Sequence, residues 1–211
     1  MVTYNKLRWY NLNNEKVEKI MKVIVINGAA RTGKDTIVEI VKRKADDHVV
    51  NMSTIDPVKE AMKCLGWDGS KTDQDRLFMA KLKQLWIEIY NGPIEYIRYG
   101  INMKLALVDY KGDKDKVIYF VHCREPEEIQ KLKDYFGEHC ITLLIKRDGL
   151  DIPINGADDV VENYRYDHMI DNSGSIDDLG RSIDDFIKVW DIKLKHSLPV
   201  GGLLSAHDFE N

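Results

Sequence analysis

The stretch from Lys22 to Lys44 constrains this chain more than any other. Val23-Ile24-Val25-Ile26 is a short β-branched run, Gly28-Ala29-Ala30-Arg31-Thr32-Gly33-Lys34-Asp35-Thr36 follows it, and Ile37, Val38, Ile40 and Val41 then recur at helical spacing. The first segment reads as a buried strand bounded by a turn, and the last as a helix closed by Lys42-Arg43-Lys44, cations that suit a helix C-terminus. A glycine-rich turn between such a strand and such a helix is the setting in which G-x-x-x-x-G-K cradles phosphate. Gly28 and Gly33 permit backbone conformations that aim successive N–H groups at one anion, and the helix start adds partial positive charge. Lys34 then reaches the outer phosphates of a bound nucleotide. A Gly-Lys pair in an ordinary turn is the alternative, and the strand and helix on either side argue against it. Asp35 stands where Ser or Thr is usual, with Thr36 one place later. A magnesium ion therefore has two candidate ligands: Thr36 can also donate to a phosphate, and Asp35 can hold a metal-bound water or simply sit as a carboxylate at the helix N-terminus.

The rest of the chain continues the alternation. Val49 to Ser53 is strand-like, and Asp56-Pro57 opens a helix through Met62. Gly66 to Asp75 reads as a loop. Leu77, Leu82, Leu85, Trp86 and Ile89 mark a helix that Gly92-Pro93 breaks, and Ile94, Ile97, Ile101, Leu105 and Val108 mark another. Val117 to Val121 predicts a third strand, Pro126 opens a helix with Ile129, Leu132 and Phe136 inward, and Ile141 to Ile145 predicts a fourth strand. Arg147 to Arg165 has no period and holds Gly149, Pro153, Gly156 and the acidic pair Asp158-Asp159, so it reads as an excursion over the sheet edge. His168 to Asp171 predicts a short last strand. Ser175 with Asp178 resembles a capping box ahead of the stripe Ile176, Leu179, Ile183, Phe186, Ile187 and Trp190. Strands alternating with helices imply an α/β fold with a parallel sheet covered on both faces and ligands at the strand C-terminal ends.

Composition bounds the function classes. The 211 residues suit one domain, and 44% hydrophobic with 31% charged residues gives both a core and a charged surface. Lys+Arg 31 against Asp+Glu 35 leaves −4, so no excess positive field draws nucleic-acid polymers or anionic membranes. Apolar runs of a few residues fall far short of the ~20 that span a bilayer, and residues 1–20 lack the apolar core of a secretory signal. A cytoplasmic protein is expected. Cys64, Cys123 and Cys140 are far apart with no C-x-x-C pair, which fits reduced thiols. Residues 1–20 read as an N-terminal extension, 21–195 as the folded domain, and 196–211 as a tail.

The stretch Gly28 to Thr36, with Arg31 and its Gly-Lys-Asp-Thr ending, resembles the loop of phage-type deoxynucleoside monophosphate kinases, a branch of the P-loop nucleoside monophosphate kinase superfamily. Asp56-Pro57-Val58-Lys59-Glu60, Leu82-Lys83-Gln84-Leu85-Trp86 with Gly92-Pro93, and His122-Cys123-Arg124-Glu125-Pro126-Glu127-Glu128 also resemble segments of that family. Tyr166 to Asn172 is similar to the last strand and adenine loop shared with dephospho-CoA and animal-type phosphomevalonate kinases. The resemblance covers roughly Met21 to Val189. It implies a three-layer α/β/α P-loop NTPase fold with five parallel strands, a helical acceptor-binding insertion at about 56–110 and a short lid at about 147–165. It also implies Mg-ATP as donor and a nucleoside or deoxynucleoside monophosphate as acceptor, with Gly28 to Thr36 and Asn172 at the ATP. The state of association is left open, a homodimer included.

Phosphoryl transfer is mainly positioning and charge stabilisation, so cations facing the loop are the candidates. Arg124, at the end of the third strand, is the first choice for the acceptor phosphate; an ion pair with Glu127 or Glu128 is its structural alternative. Arg147, where the lid begins, can stack on adenine or pair with phosphates; Arg165 reads more readily as a solvated lid residue. Arg76 is a weaker acceptor-site candidate, and Lys83 reads as part of a wet helix face. Asp56 either orients an acceptor or opens its helix. An alcohol acceptor would need it as a base, whereas a phosphate acceptor, already anionic, would not. His122 and Cys123 read as core, pointing to opposite faces. Trp67, Trp86, Tyr90 and Tyr96 can stack a base, though aromatic residues at helical spacing are more often core. The competing readings are a kinase of dephospho-CoA or phosphomevalonate type and an ATP-dependent switch that transfers nothing. Asn5-Lys6 precedes the loop and lacks the following x-Asp, so no guanine-reading signature is visible.

Overall fold

The computed structural model describes residues 21–111, 117–149, 161 and 164–194, with side chains omitted for 105–111. The N-terminal extension, the tail and Asp158-Asp159 lie outside the described residues, as does most of the lid.

Five parallel strands form one sheet: β1 (Met21–Asn27), β2 (His48–Ser53), β3 (Val117–His122), β4 (Cys140–Lys146) and β5 (His168–Asp171). Their order, β2-β3-β1-β4-β5, puts β1 in the middle. The chain leaves β1 toward β2 and later leaves β3 for β4 on the opposite side, so a topological switch point lies at the C-terminal end of β1. Register brings the strand ends level: Ile26 and Ser53 both pair with His122, Asn27 pairs with Leu144, and Lys146 pairs with Asp171.

Helices cover both faces because β1 and β3, apolar on both sides, need cover on both. On one face, α1 (Lys34–Lys44) and α6 (Ile176–Val189) pack Ile37, Val41, Ile183 and Phe186 on Ile24, Ile26, Ile118 and Phe120. On the other, α4 (Gly92–Lys111) and α5 (Pro126–Phe136) pack Ile94, Ile97, Ile101, Ile129 and Leu132 on Val23, Val25, Tyr119 and Val121. The result is a three-layer α/β/α fold on a parallel sheet, as the alternation of strands and helices predicts. The capping box at Ser175 and Asp178 is present, with each side chain bonded to the other's backbone N–H.

Among the described residues between β2 and β3 lie three helices: α2 (Asp56–Cys64), α3 (Asp73–Tyr90) and α4. Thr72 and Asp75 form a capping box that starts α3, so that its first three residues, Asp73 to Asp75, fall inside the expected loop. Asn91 ends it in the left-handed conformation (φ 50°), and α4 begins directly at Gly92. A Cβ on Gly92 would lie 1.9 Å from the Trp86 ring, so glycine there lets the two helices turn tightly against each other.

Helix α3 corrects the sequence reading. Its apolar spacing predicts a helix but does not say which way it faces: Leu77, Phe78, Leu85, Ile89 and Tyr90 are exposed, while Lys83 is buried at 9% exposure. Lys83 is therefore not on a wet face. Tyr90 and Tyr96 are exposed rather than core, and Trp67 and Trp86 are half-buried. Leu82, Leu85, Trp86, Ile89 and Tyr90 line an apolar groove against Pro57, Val58 and Ala61 of α2. Among the described residues no helix is long and apolar enough to cross a membrane.

Candidate functional site

The loop leaving β1 turns on three left-handed or glycine-only positions, Gly28 (φ 147°), Arg31 (φ 63°) and Gly33 (φ 91°). A Cβ on Gly28 would stand 2.5 Å from the Ile145 carbonyl oxygen, and one on Gly33 would stand 2.5 Å from Asn172 Nδ2. Two neighbours brace the loop. Asn172 donates through Nδ2 to the Thr32 carbonyl at 2.9 Å, and Thr32 Oγ1 donates to the Ala29 carbonyl at 3.0 Å. Lys34 Nζ lies 2.7 Å from the Gly28 carbonyl and 2.6 Å from that of Ala29, which places its ammonium against the opening residues of the loop.

Helix α1, like α2 and α5, starts without a side-chain cap, whereas Thr72 and Ser175 cap α3 and α6. The N-cap of α1 is Gly33, which has no side chain to offer as acceptor. The first N–H groups of α1 consequently have no side-chain cap, the condition under which a helix N-terminus receives an anion. Asp35 and Thr36 stand in this first turn. The Asp35 side chain is 89% exposed, and its Oδ1 lies 3.6 Å from His122 Nε2. Carboxylate and hydroxyl oxygens are the hard donors that magnesium takes, so this pair fits that ion by donor chemistry.

The other strand ends contribute around this loop. Asp56 follows β2; Ile55, not Asp56, is the N-cap of α2, and the Asp56 carboxylate instead accepts from Ser53 N at 2.9 Å and pairs with Lys59 at 3.4 Å. Arg124 follows β3, half-buried, and its carbonyl accepts from Asn27 Nδ2 at 3.0 Å. Of the two glutamates that its structural alternative names, Glu128 pairs with Lys83 at 2.9 Å and Glu127 is exposed. Arg147 follows β4 and is exposed. Arg165 is exposed, and Arg76, also exposed, donates through Nε to the Lys71 carbonyl at 3.2 Å. Thus Lys34, Asp35, Asp56, Arg124, Arg147 and Asn172 all follow strand C-termini, while Arg76 belongs to the insertion.

Sequence reasoning missed three features. The first is His122, the last residue of β3: it shares a sheet face with Ile118 and Phe120, the face α1 covers, so alternation along β3 brings it beside Asp35. Burial holds its pKa below the ordinary histidine value, with Asp35 opposing. The second is Asn27, 0% exposed, whose Oδ1 accepts from Gly28 N at 2.8 Å and whose Nδ2 also donates to Tyr166 Oη at 2.7 Å. Tyr166 passes its own hydrogen to the Val161 carbonyl. One buried amide therefore ties the phosphate loop, the Arg124 turn and the far side of the lid segment together.

The third is a buried ionic cluster. Lys83 Nζ is 2.6 Å from Glu125 Oε1 and 2.9 Å from Glu128 Oε2, and Cys123 Sγ is 3.8 Å from the same Glu128 oxygen. Burial, followed by the hydrogen bond with Glu125, pushes the Glu128 carboxyl up to about 7 against the pull of Lys83. Burial also acts to raise Glu125, but the bond to Glu128 and the Lys83 charge outweigh it and hold that carboxyl low. Burial works against the Lys83 ammonium, and the two carboxylates more than offset it. Cys123, Glu125 and Glu128 are grouped closely enough to hold a metal, but the Lys83 ammonium already supplies their countercharge.

No family model matches the chain, and no curated protein matches it. Among solved structures it is similar to the APS kinase of Mycobacterium tuberculosis, at 12% identity over 82% of this chain and 98% of that one, with a TM-score of 0.44. It is similar to shikimate kinase from Aquifex aeolicus, at 13% identity over 80% and 96%, TM-score 0.44. Thymidylate kinase from Ehrlichia chaffeensis is similar at 15% identity over 81% and 99%, TM-score 0.40. The fold of this chain stands on its own strand order and loop.

Proposed function

We propose that this protein transfers a phosphoryl group from Mg-ATP to a nucleoside or deoxynucleoside monophosphate, giving ADP and the diphosphate. The observation that carries the reading is the helix start at Gly33: a glycine-shaped loop at the switch point, no side-chain cap on α1, and the Lys34 ammonium held against Gly28 and Ala29. These features suit a polyphosphate, since the loop N–H groups and the lysine meet the charge that develops on the transferred group. Gly28 to Thr36 would hold the phosphates, with Asn172 bracing the loop. Arg124 would bind the acceptor phosphate and Asp56 would orient the acceptor, with Arg76 a further candidate on the insertion and Arg147 closing over the donor. Asp35 and Thr36 would hold magnesium, which when bound neutralises charge on the outer phosphates. A phosphate acceptor needs no strong base, and the Asp56 carboxylate is already engaged by Ser53 N and Lys59.

ADP release from ATP is measured against all ribo- and deoxynucleoside monophosphates, with dephospho-CoA and phosphomevalonate in the same panel. The proposal expects saturable dependence on one or a few monophosphates. Turnover of only the latter two compounds would move the acceptor class, and acceptor-independent hydrolysis throughout would make the chain an ATP-dependent switch.

A further inference from the structure

We propose that Lys83 is a positioning residue: from helix α3 it holds the turn that carries Arg124, so that the insertion and this arginine keep a fixed relation. The inference rests on the role given to Arg124 above. The turn is pinned from two sides. From the sheet, Cys123 N donates to the Ile26 carbonyl at 3.3 Å and Asn27 Nδ2 donates to the Arg124 carbonyl at 3.0 Å. From the insertion, Lys83 reaches Glu125, the residue next to Arg124, at 2.6 Å and Glu128, in the first turn of α5, at 2.9 Å.

Packing alone does not account for a lysine here. Taking an ammonium and carboxylates out of water costs several kcal/mol per ion before pairing offsets it, and apolar residues of similar size often serve stability as well or better. Helix α3 has such residues, yet it turns Leu77, Phe78, Leu85 and Ile89 outward and places Lys83 inward at 9% exposure. What the ammonium supplies and a leucine cannot is a directional link to the Glu125 and Glu128 side chains next to Arg124. Any acceptor gripped between the insertion and Arg124 would meet both through this one side chain.

The test compares wild type with Lys83→Met and with the double variant Lys83→Met/Glu128→Gln, which leaves no buried carboxyl without its countercharge, since Glu125 is half exposed, and so guards against simple misfolding. Amide hydrogen exchange over residues 122–128 reads the pinning without requiring turnover. Both variants should exchange faster there than wild type, while residues 21–27 of β1 keep the wild-type rate. In the panel assay the KM of the best monophosphate should rise roughly tenfold and the KM of ATP stay within about twofold. The double variant should recover much of the melting temperature without recovering the acceptor KM. Unchanged exchange over 122–128, or an acceptor KM that returns with stability, overturns the positioning role. A wild type that releases no acceptor-dependent ADP overturns the proposed function instead, and the exchange result still decides whether Lys83 pins the turn.

Discussion

Replacing Glu128 by Gln should make the protein more stable at slightly alkaline pH and leave it nearly unchanged at acid pH. Glu128 is 4% exposed, and burial followed by the Glu125 hydrogen bond lifts its carboxyl from 4.5 to about 7, with Lys83 pulling the other way. The folded protein thus holds a proton that the unfolded chain releases, so this group's contribution to stability is full below pH 4.5 and is lost as pH rises through about 7. At about 1.36 kcal/mol per pH unit, the step amounts to ~3 kcal/mol. Several other groups titrate nearby and must be cancelled. Glu125 is held low, so its own contribution is lost only on acidification below the ordinary range. Burial lowers His122 and His168, so their contribution is lost as pH falls below the ordinary 6.5. Cys123 and Lys83 are both shifted upward, away from this window. The readout is therefore the difference between wild type and Glu128→Gln, from urea unfolding at several values between pH 4.5 and 8. The variant should gain ~3 kcal/mol relative to wild type across that range. A flat difference, or a variant that loses ground as pH rises, would mean that Lys83 keeps Glu128 ionised and that burial is not the controlling influence.

Three further outcomes follow from the site. Gly33→Ala sets a Cβ at φ 91° and 2.5 Å from Asn172 Nδ2; left-handed strain of ~1–2 kcal/mol and a lost bond of ~1 kcal/mol should lower the urea midpoint without changing the slope, and an unchanged midpoint would show that the loop relaxes freely. Lys34→Ala should abolish ADP formation while circular dichroism stays that of wild type, because the side chain bonds loop carbonyls and has no place in either core; wild-type turnover would remove it from catalysis. Arg124→Ala should raise the acceptor KM by about tenfold or more with ATP affinity kept, and unchanged acceptor kinetics would remove Arg124 from the site.

The strands were legible because β-branched runs bounded by Gly, Pro and polar clusters have few other solutions; their order in the sheet was not. The loop was legible because its spacing and its flanks agree. The facing of α3 was not: spacing defines a stripe, but whether Leu77 and Leu85 meet a partner depends on where α2 and α5 lie, and here the inward position went to Lys83. Its partners Glu125 and Glu128 are distant in sequence and become neighbours only when β3 is set beside the insertion. His122 was nearer to reach, since Ile118, Phe120 and His122 alternate onto the face that α1 covers. Asn27 gave no signal of its own: a strand-end amide is ordinary until its three partners on the phosphate loop, the Arg124 turn and Tyr166 are in place.

In the proposed function the backbone amides from Gly28 to Thr36 receive a triphosphate. An amide-resolved NMR titration with Mg-ATP tests it most directly, with adenosine as the control that lacks phosphates. Saturable shifts concentrated on Gly28 to Thr36 that adenosine does not reproduce are the expected result; a loop whose amides stay unmoved while ATP is in excess would contradict the account.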